Sequence, residues 1–319
     1  MTLNITLLLP VKNGQLYIQE SILNLSKIAG PEDEILIIDD ESTDQTSTLI
    51  KKFSQADGRI RLIKNSNTGL VNALNLGVKE STNEWIARCD VDDHYPEDRI
   101  SIQKTYIKPE VNAIFTDYKF IGSDSSELGI MPGAVNTHAV SLSLAKSQRT
   151  AHPSVMFRKT AANDVGGYRI QDFPTEDLSL WLRMAKEGRL ISVPKVLLNY
   201  RLSKGSVSGT KRKLIQTKSE EILSKIGINN TDYIFVKENL EDIFIEYDNL
   251  PFHSRRKLLL LRELFMVSAD PQRYGLSDQK SEILFKYIKY ILSKESLAEI
   301  FKLKKEKEAR DRIRVGSDE

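Results

Sequence analysis

Four short apolar runs alternate with four segments of helical periodicity over the first hundred residues, and this alternation restricts the fold more than any other feature. The runs are ITLLLPV (5–11), EILIIDD (34–40), RIRLIKN (59–65) and EWIARCD (84–90). Apolar runs this short, bounded by turn residues, read as buried strands. Between them, Ile18, Ile22, Leu25 and Ala29 fall at helical spacing, as do Leu49, Ile50 and Phe53, and then Leu70, Ala73, Leu74 and Gly77. A fourth helix is predicted from PEDRISIQKTYI, with Pro96, Glu97 and Asp98 in its first turn. A βαβαβαβα order implies an α/β fold with a mostly parallel sheet and helices on both faces. Ligands of such sheets bind beyond the carboxyl ends of the strands, where the strand order reverses.

Carboxylates gather at that rim. Asp39 and Asp40 close the second run, and Asp90, Asp92 and Asp93 close the fourth. Like charges this close repel and lose hydration unless a cation joins them. Taken singly, each group also reads as a helix cap or a turn. PVKNG stands after the first strand where a GxGxxG would be needed to hold a dinucleotide by backbone amides. Carboxylates hold a pyrophosphate only through a hard cation such as Mg²⁺ or Mn²⁺.

Further strands are predicted at 112–122, 152–159 and 189–202, and a helix at 176–188 that stops at Gly188. From about residue 205 the pattern changes. SKGSVSGTKRK is small, polar and basic, as a linker is, and helical segments follow at 215–226, 234–247, 253–267, 278–292 and 294–312. The expected organisation is a catalytic domain at 1–205 and a helical C-terminal region at 206–319.

With 46 Lys and Arg against 44 Asp and Glu, the net charge of +2 gives no reason to expect a nucleic-acid partner. The single cysteine, Cys89, rules out an intramolecular disulfide. The N-terminal apolar run is too short for a signal peptide and has no basic flank, and no run approaches the ~18 apolar residues of a membrane span. A cytoplasmic chain, at most peripheral to the inner face of the membrane, is expected.

Five motifs then stand in register: PVKNG with YIQESILNL, EILIIDDESTDQT, NTGLVNALNLG, WIARCDVDDHYPEDR and EDLSLWLR. Over about residues 3–203 the chain closely resembles the family 2 glycosyltransferases, which have the GT-A fold. The resemblance implies an inverting transfer from a nucleotide-sugar donor, UDP-linked by family frequency, with a nucleotide-sugar half at about 1–110 and an acceptor half at about 111–205. Pro10, Val11 and Asn13 would line the nucleoside pocket, Asp39 would accept a hydrogen bond from the base, and Asp40 would lie close by. Asn67 and Gly69 match the N-x-G near the donor. Asp90 and Asp92 match the DxD: Asp92 as principal ligand of Mn²⁺ or Mg²⁺, Asp90 on metal or ribose, Asp93 nearby. Arg88, the basic residue before the DxD, reads equally as a donor contact or a structural ion pair.

Asp177 matches the general base that takes the acceptor's proton. Its place in the first turn of a predicted helix favours the charged form, which is also all that Glu176 and Asp177 need for a purely structural role. Glu176, Trp181, Arg183 and His152 match positions on the acceptor or diphosphate side, although core packing is the simpler reading of Trp181. His94, after the DxD, reads as a surface turn. The family often has YR-x-H after the last core strand, whereas this chain has YRLS. Ser203 therefore puts a metal ligand from that loop in doubt, with Ser206 or Ser208 as substitutes toward phosphate. No Q-x-x-R-W follows, so a single transfer per binding event is expected. A phosphatase of the haloacid-dehalogenase type also places D-x-D after a strand, but on the first strand, with Thr or Val where His94 stands. An inactive sugar-nucleotide-binding module would have lost Asp92 or Asp177.

The expected partners are the nucleotide-sugar and a glycan or lipid-linked acceptor, with bacterial surface polysaccharide synthesis as the setting. RRKLLLLRELF (255–265) and FKLKKEKEARDRIRV (301–315) are basic and amphipathic. Packing on the catalytic domain or in a homodimer is favoured for them, and peripheral contact with an anionic membrane is the alternative.

Overall fold

The computed structural model describes residues 3–131, 150–202, 211–225, 282 and 284–286. The chain divides into two compact units, Met1–Ile226 and Gly227–Glu319. In the second, the described residues are helical and include an ion pair between Glu282 and Lys286. Ser203, Ser206, Ser208 and both C-terminal basic stretches lie outside the described residues.

In the first unit an eight-stranded sheet runs β3-β2-β1-β4-β7-β5-β6, with β8 also pairing β5. Strands β1 (Ile5–Val11), β2 (Glu34–Asp39), β3 (Ile60–Lys64) and β4 (Trp85–Arg88) are mutually parallel. Helices α1 (Ile18–Ile28), α2 (Thr46–Ala56), α3 (Leu70–Glu80) and α4 (Arg99–Thr105) punctuate and follow them. Every residue of β1, β2 and β4 is buried, as expected of strands covered on both faces. Beyond β4 come β5 (Val111–Ile121), β6 (Glu127–Met131), β7 (Met156–Arg158), α5 (Lys159–Asp164), α6 (Glu176–Glu187), β8 (Arg189–Arg201) and α7 (Arg212–Lys225).

β1 pairs with β2 on one edge and β4 on the other, so the order reverses there. The β1–β4 ladder ends at Leu8↔Arg88, and the Cys89 N–H donates to Leu8 O. Residues two apart present their backbone groups to the same edge. Pro10 therefore faces the β4 edge after β4 has run out of pairing residues, and its missing donor costs no ladder bond. The proline that looks out of place in a central strand marks the mouth of the crevice.

Elsewhere the differences from expectation are local. His152–Ser154 form a 3-10 turn and only Met156–Arg158 pair as strand. Pro153 has no N–H to donate, and the Ser154 hydroxyl is spent on Ala151 O. Pro96, Glu97 and Asp98 precede α4, which begins at Arg99. β6 and α5 lack an apolar run or a long period and escaped sequence reasoning.

Gly77 lets α3 lie against β1, since a Cβ there would run into both methyls of the fully buried Leu8. Gly77→Val should destabilise the first unit by about 1–3 kcal/mol through overpacking. A lower urea midpoint with an unchanged slope would show it.

Candidate active site

One end of the carboxyl rim is built from the three loops that follow β1, β2 and β3. Asn13, with φ 52°, follows β1. Its Oδ1 accepts from the Thr43 N–H at 2.8 Å, and its own N–H donates to Ser42 Oγ at 2.9 Å. Asp39, at the end of β2, accepts from the Ser42 N–H at 3.0 Å and from the Ser47 hydroxyl. Asp40 reaches the third loop, accepting from Asn65 Nδ2 at 2.7 Å and from the Gly69 N–H at 2.8 Å. Gly69 has φ 118°, a backbone region that favours glycine. Asn65 Nδ2 also donates to Asn67 O at 2.7 Å. Lys12, half exposed, donates to Thr68 Oγ1 at 3.1 Å. Pro10, Val11, Asn13, Asp39, Asp40, Asn67 and Gly69 are thus gathered by β1, β2 and the loop after β3. Here the two aspartates hold the loops together.

The DxD loop leaves β4 over a buried cation. Arg88 is 3% exposed and is ion-paired with Asp90. The Asp90 N–H donates to the Tyr95 hydroxyl at 2.8 Å. Asp93 is buried, with Oδ1 accepting from the Arg201 N–H at 2.8 Å and Oδ2 lacking a hydrogen-bond partner. Burial first, then the charges of Asp90 and Asp92, push its carboxyl well above the usual range, against the Arg201 bond and the Arg88 charge. His94 is not a loose surface turn: it pairs with Asn199 of β8 as an isolated antiparallel bridge.

Glu176 and Asp177 open α6. Burial first, then the Asp177 charge, push Glu176 up to about 7, and its Oε2 has no hydrogen-bond partner. Burial also raises Asp177, whose Oδ1 accepts from the Leu178 N–H at 2.7 Å. The Arg88 charge pulls both down and the Asp90 charge pushes both up. The ED pair and the DxD loop therefore share one cluster of charge.

The remaining acceptor-side residues take packing positions. Trp181 is fully enclosed, with Phe115, Phe157, His152 and Tyr168 around it at centroid distances of 5.6, 5.4, 5.8 and 6.2 Å. His152 Nε2 meets the Tyr168 hydroxyl at 2.9 Å, and burial, then Arg88, hold the ring neutral. The Arg183 guanidinium donates to the carbonyls of Val165 and Gly167, closing the turn after α5.

The opposite rim sets a standard for comparison. Asp33 accepts from the Ile5 and Gly30 N–H groups and pairs with Lys104 at 3.0 Å. Glu34 takes Thr6, Arg61 and Thr82. Carboxylates built for structure are saturated there, whereas Asp93 and Glu176 at the carboxyl rim keep unpartnered oxygens. Among the described residues no three His, Cys, Asp or Glu side chains form a closed metal shell. Asp90 is engaged by Arg88, and the carboxylate oxygens of this loop are the donor type that a hard cation takes.

One residue that sequence reasoning passed over holds this loop. Arg201 Nε donates to Asp92 O at 2.8 Å, and the same guanidinium reaches the β5–β6 turn. Its signal was the YR of YRLS, obscured by attention to the position of the missing histidine.

The glycosyl transferase family 2 model matches residues 6–160. The Escherichia coli UDP-Glc:alpha-D-GlcNAc-diphosphoundecaprenol beta-1,3-glucosyltransferase WfaP is 31% identical over 201 residues, covering 61% of this chain and 75% of that protein. Two longer glycosyltransferases of Rickettsia species are spanned over 33% of their length. Among solved structures, Staphylococcus aureus TarS 1-349 in complex with UDP-GlcNAc aligns at a TM-score of 0.55 with 18% identity, over 86% of this chain and 90% of that one. The mannosyltransferase PcManGT of Pyrobaculum calidifontis, in complex with GDP-Man and Mn²⁺, aligns at 0.53 with 15% identity, over 92% and 88%. By fold, motif order and sequence, the chain belongs to glycosyl transferase family 2.

Proposed function

We propose that this glycosyltransferase moves a sugar, with inversion, from a UDP-linked donor to a hydroxyl of a glycan or lipid-linked acceptor. The observation that carries this reading is the gathering of Asp39, Asp40, Asp90 and Asp92 at the carboxyl ends of parallel strands where the strand order reverses, with Glu176 and Asp177 in the field of the buried Arg88 that Asp90 pairs. A carboxylate pair for the donor diphosphate and a carboxylate for the acceptor proton belong to one site. The lipid-linked acceptor in the name of WfaP and the nucleotide-sugars in the TarS and PcManGT complexes support the substrate classes.

In the proposed reaction the acceptor oxygen bonds to C1 of the sugar as the bond from C1 to the diphosphate oxygen breaks. Asp177 takes the acceptor's proton, and the nucleoside diphosphate leaves with the bonding electrons. Burial raises Asp177 above the ordinary aspartate range, which makes it a stronger base once ionised. Arg88 opposes that rise and keeps the charged form accessible. Asp92, with Asp90 beside it, would hold Mn²⁺ or Mg²⁺, which offsets the charge gathering on the departing diphosphate. Asp39 would select the base, and the Asn67–Gly69 loop, fixed by Asp40, would border the donor.

Three outcomes test this reading. Asp177→Asn should lower kcat roughly 10²–10⁴-fold while leaving donor KM near its original value. Full transfer by that variant would remove Asp177 from the role. EDTA should abolish transfer from UDP-sugars, with Mn²⁺ or Mg²⁺ restoring it, as followed by UDP release.

The third outcome concerns stability. Glu176 titrates higher in the fold, at about 7, than its ordinary value of 4.5. The fold thus favours the protonated acid, and this group costs stability increasingly as pH rises from the ordinary value through the folded one. Glu176→Gln should therefore flatten the fall in melting temperature between about pH 5 and about pH 8. Parallel curves for the two proteins would contradict the assignment.

A further inference from the structure

The last residues of β8 grip the DxD loop at four points. The His94 N–H donates to Asn199 O at 3.1 Å, and the Asn199 N–H donates to His94 O at 2.8 Å. The Arg201 N–H donates to Asp93 Oδ1 and Arg201 Nε donates to Asp92 O, each at 2.8 Å. Arg201 Nη1 then crosses to the β5–β6 turn, donating to Gly122 O and Ser123 O at 3.2 Å and to Ser125 Oγ at 3.1 Å. The guanidinium also sits 5.4 Å from the ring centroid of Tyr17, just before α1. Arg201 is 4% exposed, so these bonds form away from competing water.

We propose that Arg201 is the positioning residue of the donor site, fixing the Asp92–Asp93 peptide so that the Asp92 carboxylate meets the metal–diphosphate. This rests on the reading of the Asp90–Asp93 loop as that site. The bond to Asp92 O sets the peptide plane that follows the ligand residue, and the bond to Asp93 Oδ1 anchors the next side chain. The second bond comes from the main chain and survives any substitution at Arg201, and neither bond requires the positive charge as such. The guanidinium also pairs with Glu20 at 3.7 Å, whose side chain is 60% exposed, so that ion pair contributes little. What the site uses is the planar fork, which serves several oxygens on two loops together and which a lysine ammonium cannot reproduce. Partners of this kind, one bond removed from a metal ligand, typically change metal affinity 10- to 100-fold when lost.

The test uses the full chain and isothermal titration with UDP and with GDP, each with Mn²⁺ and with EDTA. Wild type, Arg201→Lys, Arg201→Gln, Glu20→Gln and Asp92→Asn are compared, and each protein's melting temperature is taken without ligand. Arg201→Lys and Arg201→Gln should both weaken Mn²⁺-dependent binding roughly 10- to 100-fold, while Glu20→Gln binds as wild type does. If Arg201→Gln fails to fold, Arg201→Lys, which keeps the charge and the stem, decides. A folded Arg201→Lys that binds like wild type overturns the proposal, even with a lower melting temperature, because the residue would then serve the fold alone. If Asp92→Asn loses binding while the Arg201 variants keep it, only the role of Arg201 falls. Wild type that binds neither nucleotide, or binds equally well in EDTA, overturns the donor-site reading and the Arg201 proposal together.

Discussion

A guanidinium buried at the end of a central strand is the constraint around which the site is arranged. Arg88 closes β4 at 3% exposure, deep enough that an unpaired charge would be severely penalised. Asp90 answers it directly, and the Arg88 charge in turn favours the ionised forms of Asp93, Glu176 and Asp177, which burial opposes more strongly. Those carboxylates are in turn too many for one cation. Burial already favours their neutral forms, and their mutual repulsion adds to it, so the rim stays short of positive charge. A substrate that arrives with a hard cation relieves that shortage, which is a physical reason for a site to remain under-neutralised.

The supports around this cluster are hydrogen bonds between loops more than apolar contacts. Asn13 ties the loop after β1 to the loop after β2, and Asp40 ties the latter to the loop after β3. Arg201 and Asn199 tie the DxD loop to β8. Beneath them, Arg99 is fully buried, donates to Arg88 O at 2.9 Å and lies 4.3 Å from the Tyr95 ring centroid. Gln103 bridges Ile114 O and Ser154 O, so β4, β5 and the turn before β7 share one scaffold. Each loop of the rim is thus held by a polar group whose partner lies on another loop or strand.

The parallel half of the fold was legible because strands covered on both faces are mostly apolar, as β1, β2 and β4 are, with Thr6, Glu34, Asp39 and Arg88 as partnered exceptions. The same logic placed Asp39, Asp40 and Asp90–Asp93 on one rim, since parallel strands end on the same side. What stayed hidden depends on pairing across long separations. β6 is an edge strand with exposed Leu128, so no apolar run announces it. Trp181 and Arg183 lie two residues apart on α6, yet one fills an aromatic cluster and the other binds backbone carbonyls, and local spacing cannot separate these fates. His94 and Arg201 are more than a hundred positions apart in the chain, and no period links the DxD loop to the strand that holds it.

That separation has a consequence for synthesis. The parallel strands β1 to β4 leave the ribosome before β8 and can pair among themselves, because their contacts are close in sequence. The grip of β8 on the Asp92–Asp93 peptide comes only after the whole acceptor half has been made. A nascent chain halted before β8 would hold the sheet's centre without its finished rim.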